Sequence, residues 1–175
     1  MKKNVPFWAK CLLVVTLLAA AYFWYTRPMT LDRLCPSFRW AQVTHVGGLE
    51  HVGDISAPSP VVSSENLPVN DPEAQAVYQQ FLAARFRRDP LTALTNFLSG
   101  WSTYTFGEAG GFPELAFFAP DPDQRIDLCL TEDGNATLTS AAIDLPLRYS
   151  DKALFWDALD YLRAHPYSNT KSTAV

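Results

Sequence analysis

Cysteine is scarce in this chain of 175 residues: there are three, at positions 11, 35 and 129, and no CxxC spacing occurs. That excludes the usual paired-thiolate zinc modules and a disulfide-stapled small scaffold. Phosphate-cradling glycine patterns of the GxxxxGK or GxGxxG type are missing, as is the GxSxG turn that exposes a catalytic serine. No self-similarity of solenoid period is present. Positive charge is also thin, with 14 Lys and Arg against 18 Asp and Glu. Three of those lysines precede residue 11, which leaves 11 basic against 18 acidic residues downstream, a net charge of −7. A domain of that sign has no electrostatic footprint for nucleic acid, nor for adsorption to an anionic lipid surface; a basic protein partner would be steered toward it.

Only one stretch is apolar throughout, Cys11 to Tyr25 (CLLVVTLLAAAYFWY), preceded by Lys2, Lys3 and Lys10. It reads either as a cleaved signal peptide or as a retained anchor. Ala19, Ala20 and Ala21 fit an A-x-A cleavage site near Ala21, which would release the rest as a secreted protein. Apolarity nevertheless continues through Tyr22, Phe23, Trp24 and Tyr25, aromatics that suit a membrane–water interface. Extended back to Phe7, with the Lys10 stem snorkelling, residues 7–25 make a helix of about 28 Å, near the roughly 30 Å of a hydrocarbon core. The lysines ahead of it place the N-terminus in the cytoplasm and residues 26–175 outside. The expected organisation is therefore a signal-anchor or signal peptide over 1–25, one extracytoplasmic domain over 26–166 with a mobile loop at 53–70, and a flexible tail over 167–175.

Export bears on the thiols. Cys11 lies inside the apolar run, so Cys35 and Cys129 are the only cysteines of the external domain, and an oxidising compartment favours a bond between them. In the chain-entropy account such a bridge constrains the unfolded state by on the order of 4–5 kcal/mol.

Within the domain, Trp40–Val46 and Leu49–Val52 flank Gly47-Gly48, a dipeptide that permits a two-residue hairpin turn. Asp71-Pro72-Glu73 starts a helix carrying Val77, Tyr78, Phe81, Leu82 and Phe86 on one face, with Arg85, Arg87 and Arg88 at the end where cations complement free carbonyls. Asp89-Pro90 starts a second, with Leu91, Leu94, Phe97 and Leu98, ending near Gly100. From Trp101 the period becomes two: strands are expected at 101–106, 114–118, 125–131 and 136–147, the last bending at Pro146. Ile126, Leu128 and Leu130 share a face that Cys129 does not. Ser150 is the expected cap of a closing helix that carries Leu154, Phe155, Ala158, Leu159 and Leu162 and stops at His165-Pro166. Hairpin, helices, antiparallel strands and a closing helix define an α+β fold, a sheet of about five or six strands packed against two or three helices.

The densest chemistry is THVGGLEHVGD, with His45, Glu50, His51 and Asp54. A turn at Gly47-Gly48 puts His45 and Glu50 on one face and Thr44 and His51 on the other, so one metal ion cannot collect them, while a His45–Glu50 pair would respond to pH near neutrality. The PDPD turn with Asp121 and Asp123, the GEAGGFP turn at 107–113 and the Asn135 sequon carry no reaction. No cofactor, metal or catalytic set is expected. The expected function is that of a membrane-tethered extracytoplasmic binding module; an immunity-type or accessory protein of an envelope system is the alternative, and a hydrolase using His45, Glu50 and Asp54 is a weaker one.

Overall fold

A computed structural model describes residues 6–52, 61–99, 111–120, 125–141 and 143–167. In chain order these form α1 (Phe7–Tyr25), a single turn α2 (Leu31–Leu34), a 3-10 turn (Trp40–Gln42), β1 (His45–Val52), β2 (Val61–Ser63), β3 (Leu67–Pro68), α3 (Pro72–Ala83), β4 (Phe86–Arg88), α4 (Pro90–Ser99), β5 (Gly111–Phe118), β6 (Arg125–Leu130), β7 (Asn135–Ser140), β8 (Ile143–Tyr149) and α5 (Ala153–Ala164). The fold is α+β as expected, with more strands than the five or six read from the sequence. Eight strands make one antiparallel sheet in the order β2-β1-β5-β6-β7-β8-β4, and β3 also pairs with β1.

Alternation along the strands divides the sheet into two faces. Val46, Leu115, Phe117, Ile126, Leu128, Leu138 and Phe86 are fully buried on the inner one. Ala74, Val77, Tyr78 and Phe81 of α3 and Leu154, Phe155, Ala158, Leu159 and Leu162 of α5 cover it. Trp40 packs edge-on against Phe38 and Phe117 at 4.8 and 5.6 Å between ring centroids, and the Tyr78 hydroxyl donates to the Trp40 carbonyl. Asp71 caps α3 by accepting from the Glu73 and Ala74 amides, 2.9 and 3.2 Å, ahead of Pro72, as its sequence foretells.

Four local expectations give way to tertiary pairing. Gly47-Gly48 makes no turn: β1 runs straight through it, and all eight of its residues face β5, from His45 opposite Phe118 to Val52 opposite Gly111. The glycines serve close approach. A Cβ on Gly48 would fall on the Glu114 carbonyl oxygen, and one on Gly47 on the Asn66 amide oxygen. Second, the helix from Asp71 stops at Ala83, because Phe86 is drawn into the core as part of β4, opposite Tyr149 and bridged to Met29. Arg87 and Arg88 therefore lie on a strand rather than at a helix end. Third, the segment expected as a loop carries β2 and β3, both laid on β1, while 53–60 fall outside the described residues. Fourth, 136–147 is two strands rather than one bent strand, with Ser140 opposite Ile143. Asp151, not Ser150, meets the start of α5, accepting from the Ala153 amide at 3.1 Å. At the C-terminal end Tyr167, the first residue of the expected tail, donates its amide to the Ser63 carbonyl at 2.9 Å, and 168–175 fall outside the described residues. The strand expected at 101–106 and most of the GEAGGFP turn lie outside the described residues.

The two glycines face different obstacles, a strand carbonyl at Gly48 and a side-chain amide at Gly47. Gly48→Ala is expected to lower stability by about 1–3 kcal/mol and Gly47→Ala by less, since Asn66 can turn aside; urea unfolding of both variants checks this, and equal losses would contradict it.

Candidate functional site

The outer face of the sheet is where side chains with chemistry collect. His51 on β1, Glu114 on β5 and Arg125 and Asp127 on β6 form a continuous row across three strands. The His51 Nε2 lies 3.0 Å from Glu114 Oε2, Arg125 reaches Glu114 Oε1 at 3.8 Å, and its Nε donates to Asp127 Oδ1 at 2.7 Å. His51 and Arg125 each also lie on an aromatic ring. His51 stacks on Phe112, 4.3 Å between centroids and 8° from parallel, and the Arg125 guanidinium sits 5.4 Å from the Phe118 centroid. Burial pushes the Asp127 carboxyl up, Arg125 pulls against it and Glu114 adds to the rise. Beside the row, Leu49, Ser63, Asn66, Phe118, Arg125 and Tyr167 line an open cleft. The row offers fixed donors, acceptors and ring faces in alternation, which suits recognition of a polar surface. Sequence reading missed it, because only Arg125 and Asp127 are neighbours on one strand; His51 and Glu114 lie 63 positions apart, and they and Arg125 meet only through strand register.

The residues nominated from sequence are separated. His45 is exposed, with Nδ1 3.1 Å from its neighbour Thr44. Glu50 is buried on the inner face, where the Arg163 guanidinium of α5 donates to it through Nε at 3.0 Å and Nη2 at 2.5 Å. A straight β1 puts positions 45 and 50 on opposite faces, so the expected His45–Glu50 pair does not form; His51 pairs with Glu114 and His165 with Glu73 instead, at 3.0 Å each. Asp54 lies outside the described residues, as do Asp121 and Asp123. Among the described residues no three His, Cys, Asp or Glu side chains gather as a metal site.

Cys35 and Cys129 are both buried free thiols, so the expected bridge is absent from the structure. Strand alternation accounts for this: Cys129 does point away from Ile126, Leu128 and Leu130, as its position implies, whereas Cys35 ends α2 within the inner core, its carbonyl accepting from Trp40 Nε1 at 3.1 Å. Burial, then the nearby Glu114 charge, push the Cys129 thiol well above its ordinary value, which leaves it protonated and a poor nucleophile.

Two further polar contacts fix the frame. The Tyr161 hydroxyl, pushed up to about 12 by burial and by Asp71 and Glu73, donates to the Val46 carbonyl at 3.1 Å. Burial raises the Asp89 carboxyl, but hydrogen bonds from Arg148 and Thr92 outweigh it and hold the group below the ordinary carboxylate value. Asp89 thereby caps α4 and ties it to β8 through Arg148 Nε at 2.7 Å.

Comparison of the chain with protein-family models, curated proteins and solved structures finds no match to any of them.

Arg163→Met leaves a buried Glu50 carboxylate with its partner removed. The variant should lose about 1–3 kcal/mol, below the figure for a fully buried pair because the guanidinium is half exposed, and unfolding at neutral pH measures it. Thiol counting without reductant provides a second check: Cys35 and Cys129 should both react once the protein is unfolded, and a mass two hydrogens short with no reaction at either would show a bond between them.

Proposed function

We propose that the chain is a membrane-tethered domain, displayed outside the cytoplasm, that works by binding a protein partner across the open sheet face rather than by catalysis. The observation that carries the tether is α1. It has 19 residues, Lys10 the only charged one among them, and none is buried against the domain. Such a helix has no aqueous resting place, and its length matches a bilayer. Tyr22 to Tyr25 close its C-terminal end as an interfacial belt, with Arg27 set 5.1 Å from the Trp24 ring. The lysines before α1 support a cytoplasmic N-terminus. For the binding role, support comes from the ion-paired row of His51, Glu114, Arg125 and Asp127 on a face that neither α3 nor α5 covers, and from the downstream charge of −7, which favours a basic partner.

Retention of α1 is tested by alkaline extraction of membranes followed by determination of the mature N-terminal residue. Met1 in the membrane pellet is expected; Tyr22 in the soluble fraction would mean cleavage after Ala21 and a released protein. External protease should remove the domain from intact cells or spheroplasts, and its protection would reverse the orientation. A photo-crosslinker replacing Thr139, beside Asp127, should give one discrete adduct that Arg125→Glu abolishes.

A further inference from the structure

Helix α4 is inside out. Its polar side chains Thr92 and Asn96 face the sheet, lining a cleft with Cys129, Thr131 and Thr137, while Leu91, Leu94, Phe97 and Leu98 point away from the protein. On a helical projection these four span an arc of about 120°, a continuous apolar stripe. Leu91 is 70%, Phe97 83% and Leu98 74% exposed, values ordinarily seen for charged surface residues. A helix that turns Thr92 and Asn96, both half-buried, toward the sheet and shows its apolar side has the polarity expected next to lipid.

Its surroundings say which apolar phase covers it. Leu91 shares one open cleft with Tyr22, Phe23 and Arg27 at the end of α1 and with Arg87 and Arg88 of β4. The Arg88 guanidinium lies 4.8 Å from the Tyr25 ring centroid, which sets β4 at the level of the aromatic belt. Arg87 is directly opposite Arg148 across the β4–β8 pair, an arrangement of like charges that a sheet tolerates poorly. Arg148 has Asp89, but among the described residues Arg27, Arg87 and Arg88 have no carboxylate partner. A helix with an outward apolar stripe thus begins beside a span-capable helix, amid arginines that await anions.

We propose that α4 is a second membrane contact: its Leu91–Leu94–Phe97–Leu98 face lies in the interface of the leaflet from which α1 emerges, and Arg27, Arg87 and Arg88 meet the phosphates of that leaflet's lipids. The proposal rests on the reading of α1 as a retained span. It holds the domain against the bilayer in one orientation. It also qualifies the expectation from net charge: an acidic domain can face anionic lipid when its arginines are gathered at the contacting edge.

The test uses the full chain with Cys11→Ser, reconstituted in vesicles of phosphatidylcholine with a minority of phosphatidylglycerol. An environment-sensitive fluorophore is placed at Phe97→Cys or, as a control on exposed α5, at Asp160→Cys. With iodide on both sides, the label at 97 should be shielded from iodide and quenched by a nitroxide on the lipid chain near the headgroup, and the label at 160 should behave in the opposite way. Arg87→Gln should lower the ratio of shielded to iodide-accessible label at 97 about fivefold in these vesicles and leave it unchanged in pure phosphatidylcholine. If the protein floats with the vesicles but position 97 is as open to iodide as position 160, α4 does not dock. Shielding without nitroxide quenching, with a 97–97 disulfide forming between chains when unlabelled Phe97→Cys protein is treated with an oxidant, would put a second copy there and overturn the proposal. Failure to float would remove the anchor, and the docking with it.

Discussion

The pairing of β1 with β5 is the constraint on which the rest of this fold depends. It runs over all eight residues of β1, places β2 and β3 on the other edge of that strand, and fixes which residues face the helices. Two glycines make it possible by removing side chains where the Glu114 carbonyl and Asn66 approach. The register delivers Val46 and Glu50 to α5, and His51 to the open face beside Glu114. A slip of one residue would exchange these sets, placing His51 in the core and exposing Glu50.

Each face of the sheet uses ionic contacts differently. On the inner face, one carboxylate is sunk against one guanidinium that is itself partly wet, and its role is to join the C-terminal helix to the N-terminal strand. On the outer face, the charges alternate, lie partly in solvent and rest on rings. Arg125 is 43% exposed while the carboxylates of Glu114 and Asp127 are 22% and 20% exposed, so the row stands between a surface pair and a buried one. The third ionic cluster, at β4 and β8, has more arginine than aspartate, which leaves positive charge beside the start of α4.

What was legible in the sequence was local. The cap and spacing of α3, the apolar helix α1, the alternation at Ile126, Leu128 and Leu130, and the closing helix all follow from rules that act within a few residues. What was misread required partners far along the chain. Phe86 sits at helical spacing after Phe81 and Leu82, and only its pairing with Tyr149 and Met29 makes it a strand residue. Gly47-Gly48 has the composition of a turn, yet Glu114 and Asn66, which explain the glycines, are remote. That misreading carried over to the site, since a turn and a straight strand assign His45, Glu50 and His51 to faces differently. The Asp89-Pro90 start of α4 was readable, but the direction its leucines face was not, because periodicity reports that a stripe exists and not which side of it meets the protein.

The tie between Glu50 and Arg163 spans 113 positions. A chain made from its N-terminus has β1 long before it has α5, so the partner that compensates the buried Glu50 carboxylate is supplied last. Covering the inner faces of β1 and β5 therefore falls in part to the last helix of the chain, and without it Glu50 would have no guanidinium partner.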